Sequence, residues 1–518
     1  MARRTQPISA TPGIAAAILI VAAVMAAFVA IGLRVEVTTG LRAAEWQAVR
    51  FTLVQAFFSA LISVALAVPV ARALARRRMP GHAVLVTLLG APFILPVIVA
   101  VLGLLAIFGR NGWLNVFLGA LGLPEVSIYG AHGVVLAHVF FNMPLATRLI
   151  LQGWQALPAE QFRLIAQLGL PPGVVFRTVE WPMLRQVVPG AFALIFVICL
   201  TSFAVALTLG GGPKATTIEL AIYQAFRFDF DLGRAALLSL LQLAVAGGAA
   251  LLALSFLPPM VVQRGQDRVP HRWDAKGAGV RILDAMWIVF AAGFLLLPLA
   301  SVVIAGLGGI LEMPPVVWRS AWTSVWMAAL STGLLVAIAL PLTAWLAQAR
   351  GGGMEGVTLL GLAASPLMLG TGWFILIFPF VNPVSLALPV TASVNALMAL
   401  PFAVRILLPP TRQILTDYGR LSAGLGLRGW PFWRIVLLPR LRPALGFAAG
   451  LTAALSVGDL GVIALFADPD VATLPLQMYR LLGSYRTDAA AGAALLLLAL
   501  ALGMFWGCDT WGRRRDPG

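Results

Sequence analysis

The amino-acid sequence predicts an all-α polytopic membrane protein, with about twelve transmembrane helices in two parallel six-helix repeats. The first observation is composition: 60% of the 518 residues are hydrophobic and only 11% are charged, far from the balance of soluble domains. The second is a series of apolar runs of about 20 residues or more, each long enough to cross a bilayer as a helix. The third is an internal repeat, in which a polar segment recurs 257 residues further along the chain (Pro144 to Pro401).

The apolar runs define the predicted spans in chain order. They cover residues 13–33, 51–74, 83–109, 130–151, 187–210, 235–257, 282–307, 319–346, 355–379, 387–408, 444–467 and 489–511. Several contain Gly or Pro, which transmembrane helices tolerate when neighbouring groups satisfy the freed backbone. The two cysteines, Cys199 and Cys508, fall in or at the end of these spans, and neither a disulfide nor a metal site is predicted from them.

Basic residues are concentrated in alternate loops, and this bias sets the predicted orientation. They lie before span 1, after span 2, in the central connector and at the end of the chain: Arg3, Arg4, Arg72, Arg76, Arg77, Arg78, Arg264, Arg268, Arg272, Lys276, Arg281, Arg513, Arg514 and Arg515. All of these positions fall on the same side of a twelve-span count, so both termini are predicted to be cytoplasmic. The net charge of +16 is then the sum of the positive-inside bias, and no nucleic-acid partner is predicted.

The repeat divides the chain into two halves that share one orientation, because each half contains an even number of spans. We predict a first repeat over residues 1–257 with its core at 51–257, and a cytoplasmic linker at 258–281. The second repeat then covers 282–518, with its core at 319–511. A pseudo-twofold axis along the membrane normal is expected to relate the two bundles.

The duplicated polar loop after spans 4 and 10 is the predicted functional element. Pro158 followed by Glu160 predicts a helix start with negative charge at its positive end, and Gly169 predicts a helix stop. Each copy thus predicts a short amphipathic helix, a glycine turn, a second short helix, and a proline where the next span begins. The matched residues are Glu160, Arg163, Ala166, Gly169 and Pro182 in copy one and Asp417, Arg420, Ala423, Gly426 and Pro439 in copy two. Such a helix is suited to docking on a cytoplasmic partner, and a re-entrant loop that only caps the bundle is the alternative.

This pattern of an acid, small or apolar residues, a Gly and a Pro thirteen residues later resembles the EAA loop of ABC-importer membrane subunits. Within that superfamily the whole chain is similar to fused two-copy permeases for ferric iron, thiamine and related substrates, with the type I importer fold. Strings typical of the thiamine permeases lie at 109–114, 138–148, 180–182 and 209–224. The chain departs from the pattern because neither copy contains a literal Glu-Ala-Ala, and Asp417 is followed by Tyr418 and Gly419.

The resemblance implies a set of partners. A periplasmic binding protein would deliver a small-molecule substrate, thiamine and its phosphate esters, to a permease in the lipid bilayer of the bacterial inner membrane. Two copies of a cytoplasmic ABC ATPase subunit would bind the repeated loops and move them. Ferric iron or another small solute is the alternative substrate, because the hard ligands that iron needs would lie on the binding protein.

No enzymatic activity and no cofactor are expected of the chain itself. The stretch from Gly210 to Thr216 has the look of a phosphate-binding loop, but Pro213 separates the last glycine from Lys214, so it is not a Walker motif. ATP would therefore be hydrolysed by a separate subunit. We interpret Gly210–Thr216 instead as a periplasmic loop that contacts the binding protein.

One acid stands inside a predicted span. Asp459 lies in span 11, and Ser202 is its counterpart in span 5. A charged residue within a transmembrane helix is costly and is by default a functional-site hypothesis, so both residues are candidates for the translocation pathway. An acid that only supports helix packing through hydrogen bonds is the alternative interpretation.

A twelve-helix secondary transporter of the major facilitator type is the alternative of another class, since it has the same span count and repeat. It would place its motif in the loop after span 2, where Arg76–Pro80 lacks the expected Gly and Asp. It would also not need long amphipathic loops after spans 4 and 10.

Overall fold

The computed structural model describes residues 8–35, 40–77, 79–90, 92, 94–210, 212–255, 273–275, 277–348, 364–466 and 471–514, and this part of the chain contains helices and no strand. The first half contributes α1 (Thr11–Arg34), α2 (Ala43–Arg76), α3 (His82–Leu88), α4 (Val97–Phe108), α5 (Trp113–Ala120), α6 (Ala131–Gln155), α7 (Ala159–Gln167), α8 (Pro172–Val175), α9 (Trp181–Leu200), α10 (Ala204–Leu209), α11 (Ile218–Arg227) and α12 (Leu232–Leu254). The second half contributes α13 (Ala278–Gly309), α14 (Pro315–Gln348), α15 (Pro366–Ile377), α16 (Ala387–Gly424), α17 (Trp430–Phe432), α18 (Leu438–Val457), α19 (Gly461–Leu465), α20 (Leu474–Gly483) and α21 (Thr487–Arg513).

The membrane-spanning class is confirmed. The described residues contain 11 helical segments long and apolar enough to cross a bilayer. They lie at the positions of eleven of the twelve predicted spans, and the remaining one, 355–379, falls partly outside the described residues. Its described part is α15, a helix of 12 residues. The predicted linker 258–281 is also largely outside them, as are several of the arginines that set the predicted orientation.

The prediction of one continuous helix over 83–109 is wrong. Helix α3 ends at Leu88, and helix begins again only at Val97, as α4. Pro92 and Pro96 occupy this break, and Pro96 immediately precedes α4. Proline lacks an N–H and disfavours helical geometry in the residue before it, so two prolines four residues apart interrupt a helix that apolarity alone would continue.

Each half has a core of three packed helices, and the cores correspond. In the first half α2 packs against α6 and α9, and in the second α14 packs against α16 and α18. The correspondence extends to buried hydrogen bonds. The Thr52 hydroxyl accepts from the Ile218 N–H at 2.9 Å, and the Ser324 hydroxyl accepts from the Leu474 N–H at 2.8 Å. The start of α11 and the start of α20 are therefore fixed to the outer part of α2 and α14 in the same way.

The first helix of each half packs on the opposite half. Helix α1 lies against α14 and α15, where the Trp373 indole donates to the Ala23 carbonyl at 3.0 Å. Helix α13 lies against α2 and α4 of the first half and also against α21. Close backbone approach holds the α1 contact, because a Cβ on Gly372 would lie 2.7 Å from the Cβ of Ala27. The two halves are thus interlocked rather than merely side by side.

Candidate functional site

The first repeated loop forms the predicted helix–turn–helix. Helix α7 follows Pro158, whose backbone is extended, and ends at Gly169 with φ +64°. The Leu170 N–H donates to the Ile165 carbonyl at 3.3 Å and the Gly169 N–H donates to the Ala166 carbonyl at 3.1 Å. This pair of bonds is the Schellman motif, which satisfies the last carbonyls of a helix and needs a left-handed residue that glycine supplies without strain.

The second repeated loop ends its helix in the same way. Gly426 has φ +71°, the Leu427 N–H donates to the Ser422 carbonyl at 2.9 Å, and the Gly426 N–H donates to the Ala423 carbonyl at 3.3 Å. The glycine of each copy is therefore a true helix stop, as the sequence predicts.

The prediction of a separate short helix is wrong for the second copy. There the transmembrane helix continues without a break into the loop, so that α16 runs from Ala387 to Gly424 over 38 residues. The physical reason lies at one position: Pro158 of the first copy is matched by Leu415 in the second. Leucine keeps its N–H and does not force the preceding residue out of helical geometry, so the helix carries on.

Both copies then re-enter the membrane through a widened helical turn. Residues 176–180 and 433–437 each form a π-helix that leads directly into α9 and α18. Pro182 and Pro439 are the second residues of those helices. A proline cannot donate to the carbonyl four residues back, and its ring crowds that carbonyl. The wider turn relieves this crowding at both prolines.

Each loop helix presents an exposed pair of leucines one turn apart. Leu164 and Leu168 are 57% and 63% exposed, and their counterparts Leu421 and Leu425 are 61% and 66% exposed. On the opposite face of α7, Phe162 and Ile165 are buried against residues 174–179. Sequence reasoning missed these leucines, although their recurrence at i and i+4 in both copies was a readable signal.

Nine of the ten predicted docking residues are exposed. Glu160, Arg163, Ala166, Gly169, Pro182, Asp417, Arg420, Gly426 and Pro439 are exposed, and Ala423 is half-buried. In the second loop Tyr418 is covered by the Arg440 guanidinium, whose central carbon lies 4.0 Å from the ring centre. This cation–π contact therefore ties the tyrosine of the loop to the first turn of α18.

A buried ion-pair cluster anchors the first loop. The Glu180 side chain is fully buried and accepts from Arg72, at 2.9 Å from Nε and 2.7 Å from Nη2. Arg76 extends the cluster to Asp274 of the linker at 3.3 Å, and Arg77 Nε lies 2.7 Å from Asp284 at the start of α13. The second half has Leu437 where the first has Glu180. Sequence reasoning treated these arginines only as an orientation signal.

A cavity of about 400 Å³ lies between the two halves. Its walls come from the break before α4, from α6 and α9–α11 of the first half, and from the starts of α15 and α19 with the end of α18 of the second. The polar residues among its lining are His138, Asn142, Thr201, Ser202, Glu219 and Asp459. The structure therefore brings both candidate pathway residues, Ser202 and Asp459, to one cavity.

Ser202 and Asp459 lie in matched interruptions of two transmembrane helices. The first half breaks between α9 and α10, and the second breaks between α18 and α19. In the second break the Asp459 carboxylate accepts from the Gly461 N–H at 3.2 Å, and a Cβ on Gly458 would lie 2.9 Å from Pro96. Non-helical backbone at membrane depth is tolerated where it is buried in protein or lines a cavity, and broken helices often mark transporter binding sites.

Glu219 is the functional candidate that sequence reasoning missed, because it follows the stretch Gly210–Thr216 that was interpreted as a loop contacting the binding protein. Residues 215–220 are instead buried, and Glu219 is 0% exposed at the first turn of α11. The side chains of Ser365 and Gln242 lie beside its carboxyl group, and both are neutral. The described residues contain no group of three His, Cys, Asp or Glu side chains that could hold a metal ion.

Taken with the fold, the paired loops and the cavity between halves define a membrane permease of the ABC-importer type. A thiamine transport system permease protein, ThiP, of Escherichia coli strain K12 is 41% identical over 530 residues, which covers 98% of this chain and 97% of the relative. The ThiP of Brucella abortus strain 2308 is 40% identical over 90% of this chain and 87% of its own. That of Haemophilus influenzae is 36% identical over 86% of this chain and 85% of its own.

The chain therefore belongs to the ThiP family of thiamine transport system permease proteins. No protein-family model matches it. Family membership over nearly the whole length also rejects the secondary-transporter interpretation.

Proposed function

We propose that this chain is the membrane subunit of an ATP-driven importer that carries thiamine, and its phosphate esters, across the bacterial inner membrane. The observation that carries the proposal is the similarity to ThiP proteins along nearly the whole chain, at up to 41% identity. The partners follow from the type of transporter. A periplasmic binding protein delivers the substrate to the outer face, and ATP is hydrolysed by a separate subunit, present in two copies.

The two repeated loops are the proposed ATPase docking sites. Each loop presents two exposed leucines on a helix whose end is fixed by a Schellman motif. These leucines form a rigid apolar surface that would fit into a groove on each ATPase. Burying an exposed leucine contributes about 1.5–3 kcal/mol, which suits a contact that must survive repeated cycles. Glu160, Arg163, Asp417 and Arg420 would form the polar rim of these contacts.

Movement of the loops is proposed to rock the two halves. Loop one is tied through Glu180 to α2, and the same cluster reaches α13, which packs on both halves. Loop two is the end of α16 itself. Displacement of either loop is therefore passed to a spanning helix as a rigid-body motion, which is the usual way such bundles alternate access. In this arrangement both termini lie in the cytoplasm.

ATP-dependent uptake by the reconstituted complex tests the proposal. The chain, its ATPase and its binding protein are placed in proteoliposomes, and accumulation of labelled thiamine is measured with ATP and with a non-hydrolysable analogue. We expect accumulation only with ATP and the binding protein together. Uptake of ferric iron but not thiamine would transfer the function to the alternative substrate, and uptake without nucleotide would reject the mechanism. Protease access to a C-terminal tag, in inside-out against right-side-out vesicles, tests the orientation.

A further inference from the structure

Two buried carboxylates from different halves face the same cavity. Glu219 lies in the first half and Asp459 in the second, and both line the space of about 400 Å³ between them. Both oxygens of Glu219 and Oδ2 of Asp459 are buried, and the polar side chains beside them, Ser365 and Gln242 at Glu219 and Asn395 at Asp459, are neutral. The lining contains no Lys or Arg within the part of the chain that the structure describes. The cavity thus holds two carboxyl groups and no positively charged side chain from the described residues.

Such an arrangement is unfavourable unless something neutralises it. Burying an ionised carboxylate without a partner is strongly disfavoured, and two in one cavity disfavour each other as well. A protein retains groups of this kind where a ligand supplies the missing charge. A bound cation would supply the positive charge that both carboxyl groups lack.

The rest of the lining favours an organic cation over a metal ion. The described part of the chain has no cluster of His, Cys, Asp and Glu with the number of ligands that a metal needs. The cavity is instead walled by apolar side chains and two aromatic rings, Phe141 and Phe203, and Phe203 is held by Tyr223 with ring centres 5.2 Å apart. Aromatic faces attract quaternary ammonium-type cations, and this volume is in the range of sites for small organic molecules.

We propose that this cavity is a substrate-binding site of the permease itself, which holds an organic heteroaromatic cation between Glu219 and Asp459. The inference rests on the proposed function, in which the substrate is thiamine, whose thiazolium ring carries a permanent positive charge. Because one carboxylate comes from each half, the site is complete only while the halves are positioned as in this structure. Rocking of the halves separates the two charges, which weakens the hold on the cation and releases it.

Direct binding to the assembled transporter tests the site. Complexes of the permease with its ATPase, free of the binding protein, are purified with wild-type chain, Glu219→Gln, Asp459→Asn and the double variant. Binding of labelled thiamine is measured by scintillation proximity, alongside a neutral analogue in which a thiophene replaces the thiazolium ring. Glu125→Gln is the matched control, because it makes the same change at an exposed position outside the cavity.

Each cavity variant is expected to weaken thiamine binding about 10- to 100-fold, as for the loss of one charge-assisted contact, while Glu125→Gln leaves it unchanged. The neutral analogue should bind weakly to the wild type and change little in the variants. ATP hydrolysis stimulated by the loaded binding protein is the check that the variant complexes are folded and docked.

Two failures are distinguishable. If the wild-type proteoliposomes accumulate no thiamine, the proposed function itself is wrong. If they do accumulate thiamine, but the wild-type complex binds none or binds it as well after both substitutions, only the cavity site is rejected. An equal loss of the charged and neutral ligands would also overturn it, since shape rather than charge would then govern binding.

Discussion

Replacing Glu180 by leucine tests how the first loop is anchored. The substitution copies the second half, which has Leu437 at the matching position, and it leaves Arg72 facing a buried apolar group. We expect both lower stability and weaker coupling of ATP hydrolysis to transport, because the loop loses its link to α2.

The magnitude follows from burial. Removing one partner of a buried ion pair costs about 3–5 kcal/mol, because the other charge is left uncompensated. Glu180 is fully buried, but the Arg72 side chain is 30% exposed and recovers part of its hydration. We therefore expect Glu180→Leu to cost about 2–3 kcal/mol of unfolding free energy. Adding Arg72→Ala, which copies Ala344 of the second half, should restore about 1–2 kcal/mol of that loss.

The assay is unfolding by SDS in mixed micelles, followed by circular dichroism, for the wild type, the two single variants and the double variant. A matched control is the pair Arg513–Asp509, one helical turn apart, which has the same 2.7 Å separation but an arginine that is 69% exposed. Asp509→Ala should cost no more than about 0.5 kcal/mol. ATP consumed per thiamine imported is measured on the same preparations.

The reasoning fails if the two single substitutions simply add in the double variant. A coupling energy below about 0.5 kcal/mol between Arg72 and Glu180 would mean that the pair contributes nothing beyond packing. Equal costs for Glu180→Leu and Asp509→Ala would contradict the burial argument directly.

Three further outcomes are expected. Leu164→Ser and Leu421→Ser should each weaken retention of the ATPase by the purified permease by about 1–2 kcal/mol, and full retention in both would reject the proposed leucine contacts. Gly169→Ala forces a left-handed alanine and should lower stability by about 1 kcal/mol, whereas Gly173→Ala, at an ordinary φ with open space around its Cβ, should be neutral in the same unfolding assay. Pro158→Leu should make α6 continuous with α7, seen as slower hydrogen exchange of the backbone amides at 156–159; unchanged exchange would mean that another residue causes the break.

The sequence was sufficient for the spans and for the ends of the loops because each depends on local chemistry. An apolar run of membrane length can satisfy its backbone hydrogen bonds in the bilayer only as a helix. Gly169 and Gly426 end helices because glycine adopts a left-handed backbone without strain. The failures have a local cause too. The predicted span at 83–109 ignored Pro92 and Pro96, and the predicted separate helix in loop two ignored that Leu415 replaces Pro158.

Sequence reasoning found two polar residues of the cavity, Ser202 and Asp459, but not Glu219. Asp459 was found because an acid inside a long apolar run is conspicuous, and the repeat then pointed to Ser202. Glu219 was missed because it follows a glycine-rich polar stretch, and nothing local shows that α11 folds back into the core. The start of α11 is fixed by the Thr52–Ile218 hydrogen bond, between residues far apart in the chain, and no pattern in either segment predicts that contact.

The two repeated loops therefore expose similar surfaces, but different contacts hold them in place. Both loops present leucines to the same kind of partner, but loop one is a separate helix held by Glu180, whereas loop two is the continuation of a spanning helix supported by Tyr418 and Arg440. The cavity shows the same division, with Asp459 in one break and Ser202 in the other. Since a fused chain need not keep its halves identical, each half is free to specialise. Under the proposed function, the second half would transmit the movement of its loop through the continuous helix α16, and the first through an ion-pair cluster that also contacts Asp274 and α13. Equal displacements of the two loops would then produce unequal movements around the proposed site in the cavity.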